Sequence, residues 1–527
     1  MLRITVFALA VLLSSAAWAA PGKPADTQPA AAASTVKPET STTTGSVTID
    51  GKRIDYKAVA GTMILHGHGD QEHEPTASLF YVAYFKQGAD AGKRPLTFLY
   101  NGGPGSATVW LHMGAFGPRR VVTRDDSHTP AAPYQLVNNA DSLLDVSDLV
   151  FIDAPGAGFS RLLANAPDKA KRESLMKERR KQFYGVDGDA HAFADFITDF
   201  LTTYNRWNSP KFLFGESYGT TRSAVVANIL ENQKAVDLNG VILLSQILSF
   251  DTSVDGPETN PGVDLPYILS LPTYAATAWY HHKLPQAPAQ LEPLLEEVEQ
   301  FALGDYASAL LAGNLLAPER KQTIAAKLHQ YTGLPLDYLL KANLRVSGGM
   351  FEHELLNDSA DTTGRLDTRF SGPSLDPLGK TSDYDPQSSA ISAAYVGTFN
   401  DYVRRVLKFG QDRHYRLFAD IDHWDFSHRA PGSHGALQQS LNVMPDLATA
   451  MKTNPGLKVM MLGGYYDLAT PFFAAEHELN HLQIPDKLRA NIGIHLYPSG
   501  HMIYAHEPSL KVLHDDVVRF IEGNHGT

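Results

Sequence analysis

The strongest chemical signal in the chain is the five residues Gly215-Glu216-Ser217-Tyr218-Gly219. They fit the pattern G-x-S-x-G, set between an apolar run at 212–214 and a stretch with apolar residues at Ala224, Val225, Ile229 and Leu230. A serine at a sharp strand-to-helix turn sits in strained backbone geometry, and glycines two residues to either side remove side chains that would collide there. The serine hydroxyl is then exposed at a helix N-terminus, where the dipole and free N–H groups favour developing negative charge. Such a serine needs a base, an acid to orient the base, and donors for an oxyanion.

Two later segments supply the base and the acid. The apolar run LKVMMLG is followed by Asp467, and IGIHLYP is followed by His501. If both runs are strands parallel to the one before Ser217, all three residues fall in loops at one edge of a sheet. The order Ser, Asp, His along the chain is that of an α/β-hydrolase triad. In this reading Ser217 is the nucleophile, His501 the base and then the acid, and Asp467 fixes the imidazole tautomer. His495 lies inside its strand and reads as a packed residue, while His477 and His481, four apart on a helix, read as surface residues.

The elements that would hold these groups follow a clear order. Short β-rich runs from Ser46 onward suggest an antiparallel start. PLTFLYNGGPGSA, DLVFIDAPGAGFS, KFLFGESYG and NGVILLSQIL then alternate with helical stretches, as in a parallel sheet buried on both faces. From 251 to 444 the pattern becomes mainly helical, and it returns to alternation at 445–527. The expected fold is an α/β-hydrolase fold, a mixed, mostly parallel sheet flanked by helices. Its core runs through 46–250 and 445–527, and a large helical insertion (251–444) sits as a cap over the strand ends, where open α/β sheets bind ligands.

Composition narrows the classes. A chain of 527 residues exceeds one ordinary core. Its net charge of -12, with no long Lys/Arg run, offers no surface for nucleic acid. Neither glycine-rich loop completes G-x-G-x-x-G and no G-K-[ST] follows, so no nucleotide cofactor is expected. The acidic cluster DIDHWDFSH (420–428) is not spaced like a zinc site, and no metal is expected. The absence of cysteine excludes disulfides and a lipid-modified N-terminal cysteine. Residues 1–19 have the build of a secretory signal, with Arg3, an apolar run at 4–13 and the small-residue end Ala17-Trp18-Ala19. The protein is expected to be exported, to the periplasm or beyond, with no membrane segment left after cleavage. Residues 20–45, rich in Ala, Pro, Ser and Thr, read as a disordered tether. Nothing in the sequence sets an oligomeric state.

The segments NGGPGSA (101–107), DAPGAGFS (153–160), GESYGTT (215–221), GYYDLATP (464–471) and PSGHM (498–502) together resemble the motif set of the serine carboxypeptidase family, in its order. The resemblance covers roughly 80–250 and 445–510, and the lack of cysteine is similar to its bacterial branch. It implies release of C-terminal residues from peptides through an acyl-enzyme. It also implies an oxyanion hole from the N–H groups of Gly103 and Tyr218, and capture of the peptide carboxylate by Asn101, Gly102 and Glu216. Glu216 can donate to that carboxylate only when protonated, since two ionised carboxylates in a dry site repel. A second glutamate pairing with the first is part of the family pattern. Here Ala115 stands in its place and 111–120 holds no acid, which brings Arg119 and Arg120 forward as other carboxylate-binding candidates. An esterase or acyltransferase with the same triad, or an idle binding protein of this fold, are the rival readings.

Overall fold

The computed structural model describes residues 36–435 and 437–524. The signal segment 1–19 and the first part of the tether lie outside the described residues. The end of the expected tether is a strand: β1 (Thr40–Ile49) pairs antiparallel with β2 (Lys52–His66), and β2 pairs antiparallel with β3 (Pro75–Lys86). Folding therefore starts at Thr40 rather than Ser46. The β-branched threonines of TSTTTG fit a pleated edge, and their main chain satisfies the donors and acceptors of β2.

The remaining strands are β4 (Leu96–Tyr100), β5 (Arg119–Val121), β6 (Leu136–Asn138), β7 (Asp148–Ile152), β8 (Arg161–Leu162), β9 (Lys211–Glu216), β10 (Gly240–Leu244), β11 (Asp361–Thr363), β12 (Ser371–Pro373), β13 (Lys458–Gly464) and β14 (Ile492–Tyr497). The main sheet has the order β1-β2-β3-β7-β4-β9-β10-β13-β14, with β8 on β3. From β7 to β14 every neighbouring pair is parallel. Strands β4, β7, β9 and β10 are buried along their whole length, which is why they read as unbroken apolar runs. Strand β14 closes the sheet and is half exposed. His495 on it is accordingly 38% exposed and faces Asp516 at 3.4 Å rather than packing inside.

Helices α1 (Lys169–Phe183), α2 (Val186–Thr203) and α3 (Tyr218–Gln233) precede β10 or follow β9 directly. The insertion brings α4 (Leu265–Tyr280), α5 (Glu292–Phe301), α6 (Ala307–Ala312), α7 (Pro318–Thr332), α8 (Leu336–Lys341), α9 (Gly348–Leu355) and α10 (Pro386–Arg405). Last come α11 (Met444–Thr453), α12 (Phe472–Asn480), α13 (Asp486–Arg489) and α14 (Glu507–Asn524). One face of the sheet packs on α2, α3 and α11, around Phe193, Phe196, Val226 and Leu447. The other packs on α10 and α14, around Ile391, Tyr395, Leu513 and Val517.

The insertion is therefore not one body. Helices α4 to α9 share their own apolar cluster, whereas α10 presents Ile391, Ala394, Tyr395, Phe399 and Tyr402 to the sheet and belongs to the core. The cap cluster also takes in Tyr466 and Leu468 from the loop after β13 and Phe472 and Phe473 from the start of α12. Among the described residues no helix is long and apolar enough to cross a membrane.

Candidate active site

Ser217 stands between β9 and α3 with φ 61° and ψ -130°, a left-handed conformation forced by the turn. Such backbone costs on the order of 1–3 kcal/mol and persists where the surroundings over-determine it. Here the Ser217 N–H is tied to the Leu244 carbonyl of β10 at 2.9 Å, and the Ser217 carbonyl accepts from Thr220 N and Oγ1. Behind the turn, the buried Arg222 donates to Asp189 (Nε–Oδ2 2.6 Å) and to the Asn101 carbonyl (2.8 Å), with its guanidinium 4.2 Å from the Phe193 ring centre. It thus locks the Asn101 loop to α3. That loop lies close against the turn: a methyl group on Gly102 would strike the Tyr218 N–H and the Glu216 carbonyl. Asn101 and Tyr218 are buried, Gly103 is exposed and Ser217 half-buried, so the site opens at Gly103 and Ser217.

Asp467 and His501 lie in the loops after β13 and β14, at the same sheet edge as Ser217. His501 Nδ1 and Asp467 Oδ2 are 2.8 Å apart. Asp467 also accepts from Ala469 N and Thr470 N (both 2.9 Å) and Thr470 Oγ1 (2.7 Å). A carboxylate is acceptor-only, so Nδ1 carries the proton and Nε2 is left as an acceptor. Asp467 is wholly buried and His501 nearly so. Burial pulls the imidazole down, but the charge and hydrogen bond of Asp467, with the charge of Glu216, outweigh it and raise the His501 pKa above 6.5. Among the described residues no hydrogen bond joins Ser217 Oγ to His501.

Glu216 is buried, and burial pushes its carboxyl up to about 7 against the opposing pull of His501, Tyr504 and Asn101. Its partner is Tyr504, whose hydroxyl donates to Oε2 at 2.8 Å. Ala115 is wholly buried in the widened turn Leu111–Phe116, and Gly114 beside it has no Cβ because one would run into the Tyr395 hydroxyl and the Tyr504 ring. A tyrosine therefore occupies the flank of Glu216 where an acid was expected. Arg120 pairs with Glu507 at 2.7 Å, and Arg119 lies towards Tyr56 and Tyr402; no hydrogen bond or ion pair among the described residues joins either arginine to Glu216.

Two features were not readable beforehand. Tyr504 carries no spacing signal beyond following His501 by three residues. In the 420–428 cluster, His428 is gripped by Asp187 (2.6 Å) and Asp446 (2.8 Å), and Trp424 meets the Tyr218 ring edge-on at 5.4 Å. The two acids that hold His428 thus lie outside the cluster, whose own Trp424 packs against the site at Tyr218. Among the described residues no group of three or more metal-ligating side chains is placed to hold an ion.

Sheet order, serine turn and the loops of Asp467 and His501 define an α/β-hydrolase. Residues 57–268 of the chain match the family model described as serine carboxypeptidase. Among solved structures it is similar to Kex1Δp, a prohormone-processing carboxypeptidase from Saccharomyces cerevisiae. The two share 17% identity over 89% of this chain and 91% of that one, with a TM-score of 0.51. A proline iminopeptidase from Mycobacterium smegmatis aligns over 88% and 98% at 14% identity, with a TM-score of 0.36. No curated protein sequence matches the chain.

Proposed function

We propose that the protein is an exported serine carboxypeptidase that releases C-terminal residues from peptides through an acyl-enzyme on Ser217, His501 and Asp467. The observation that carries this reading is the placement of a buried, readily protonated carboxyl, Glu216, one residue before the serine and beside Asn101. A hydrolase of neutral esters has no use for such a group, whereas a peptide carboxylate entering the site meets a donor in it.

In the first half-reaction His501 Nε2 takes the proton of Ser217 Oγ as that oxygen attacks the last peptide carbonyl. The Gly103 and Tyr218 N–H groups receive the oxyanion. The C–N bond breaks as His501 returns the proton to the leaving nitrogen, which frees an amino acid and leaves an ester on Ser217. Water, deprotonated by His501, then hydrolyses that ester. Asn101, Gly102 and protonated Glu216 hold the substrate carboxylate, and Tyr504 fixes Glu216 Oε2. The two titrations oppose each other: His501 must be neutral, Glu216 protonated, and each charge stabilises the other.

The test is turnover of one peptide with a free C-terminus, the same peptide amidated, and an aryl ester. Stepwise loss from the free peptide alone among the peptides supports the reading. Turnover of the ester with inertness towards both peptides would replace it by an esterase, and inertness towards all three by a binding protein.

A further inference from the structure

The strap 364–370 runs from the insertion into the site and touches both loops after β13 and β14. Leu468 N donates to the Arg365 carbonyl (3.1 Å), Thr368 N to the Tyr466 carbonyl (2.9 Å) and His501 N to the Leu366 carbonyl (2.6 Å). Gly500 N donates to Asp367 Oδ2 at 3.2 Å. The neighbours of Asp467 and the backbone of His501 itself are thus bonded to one short segment. The fit is close, since a methyl group on Gly500 would strike the Asp367 side chain and the Leu366 carbonyl.

Asp367 is wholly buried and Arg369 nearly so, and the two form a fork-like pair (Nη2–Oδ2 2.7 Å, Nε–Oδ1 3.0 Å). The guanidinium lies 5.8 Å from the centre of the Tyr466 ring and 3.4 Å from Asp125 Oδ1. One ion pair therefore supports Tyr466, next to Asp467, and Gly500, next to His501. The strap is fixed to the cap in turn: Thr368 Oγ1 meets Thr277 Oγ1 of α4, and the Thr368 carbonyl meets His281 Nε2, both at 2.6 Å. A buried ion pair adds little net stability compared with well-packed apolar groups, so its value lies in fixing one arrangement.

We propose that Asp367, clamped by Arg369, is a positioning residue that holds the His501 and Asp467 loops at their working separation, so that the insertion sets the geometry of the acid and base. The proposal rests on His501 being the base. The loss of positioning should appear in kcat and in the reactivity of Ser217, because a displacement near 1 Å of a catalytic group costs up to about a hundredfold.

The test uses the full chain and a neutral ester. Asp367→Asn keeps the size and an acceptor for Gly500 N but loses the charge facing Arg369. The double variant Asp367→Leu with Arg369→Met replaces the pair by apolar groups. Both should lower kcat at least about tenfold, leave KM within about twofold, and slow organophosphonate labelling of Ser217 by the same factor as kcat. The double variant should keep the wild-type melting temperature. A folded double variant with wild-type kcat and labelling rate would overturn the proposal, because a purely structural pair returns activity together with stability. Should the double variant not fold, Arg369→Lys, which keeps the charge but loses the fork, carries the same expectation and the same refutation. His501→Ala is measured alongside. Retained turnover there means the base has been misassigned, whereas an inactive His501→Ala beside fully active Asp367 and Arg369 variants removes the positioning role alone.

Discussion

Replacing Tyr504 by phenylalanine should extend peptide binding to higher pH. In the wild type the Tyr504 hydroxyl donates to Glu216 Oε2, which favours the ionised carboxylate. Burial nevertheless holds the carboxyl near 7, so the donor that a peptide carboxylate needs is lost as the pH rises through neutrality. If only protonated Glu216 accepts the peptide, affinity falls about tenfold for each unit above that pKa. A hydrogen bond to a charged group is worth roughly 1.5–3 kcal/mol, so Tyr504→Phe should raise the Glu216 pKa by about 1–2 units. The assay is kcat/KM from pH 5 to 10, in buffers at constant ionic strength, for one free-acid peptide and one neutral ester. Dividing the two profiles cancels His501, which serves both substrates, and leaves Glu216. The quotient should fall with a midpoint near neutrality in the wild type and about 1–2 units higher in Tyr504→Phe. In Glu216→Gln, whose amide donates at every pH, it should stay flat. An unmoved midpoint in a folded Tyr504→Phe, or a falling quotient in Glu216→Gln, would refute the reasoning and leave the carboxylate without this partner.

Further outcomes follow from the same contacts. An organophosphonate should label Ser217 and no other serine, as read by peptide mapping, because activation requires an adjacent base. Asp467→Asn should reduce kcat roughly ten-thousandfold with KM little changed, since the wrong imidazole tautomer is then favoured. His428, held up at about 9 by Asp187 and Asp446 against the opposing effect of burial, contributes stability that is complete below about 6.5 and lost as pH rises through 9. His428→Gln should therefore cost on the order of 2–3 kcal/mol in chemical denaturation at pH 6 and little at pH 10. Arg222→Met should cost about 3–5 kcal/mol in the same assay by leaving Asp189 buried without its partner, and the double change with Asp189→Leu should recover most of it.

Legibility followed the kind of constraint involved. The serine turn was visible because its backbone admits few residues, and the parallel strands because burial on both faces demands unbroken apolar runs. Asp467 and His501 were placed at the sheet edge through position after such strands, which needs no knowledge of side-chain packing. Tyr504 was not found: its contact spans 288 residues of chain, and no spacing rule links a tyrosine to a distant glutamate. The grip of Asp187 and Asp446 on His428 was hidden for the same reason, since neither acid lies within the 420–428 run. Helix α10 was assigned to the cap since its periodicity shows an apolar face without showing what the face meets. The strand from Thr40 was mistaken for tether because threonines pairing along an edge bury little apolar surface.

The match to the family ends at 268, short of Asp467 and His501. What brings those residues to Ser217 is strand register. Glu216 of β9 pairs with Leu244 of β10, and Leu244 with Leu462 of β13; β9 and β10 end there, and β13 runs two residues further in the same direction, to Gly464. Strand β14 continues the row with His495 opposite Leu462, and ends at Tyr497 opposite Gly464. The insertion departs after β10 and returns before β13, at the seam between the serine half and the acid–base half. The inserted chain passes over the loops of Asp467 and His501, to which 364–370 makes four hydrogen bonds. If Asp367 positions the acid and base as proposed, the insertion at that seam bears on the geometry of His501 and Asp467. Variation in the cap should then alter turnover as well as specificity, which distinguishes this site from one in which a cap merely covers a finished active centre.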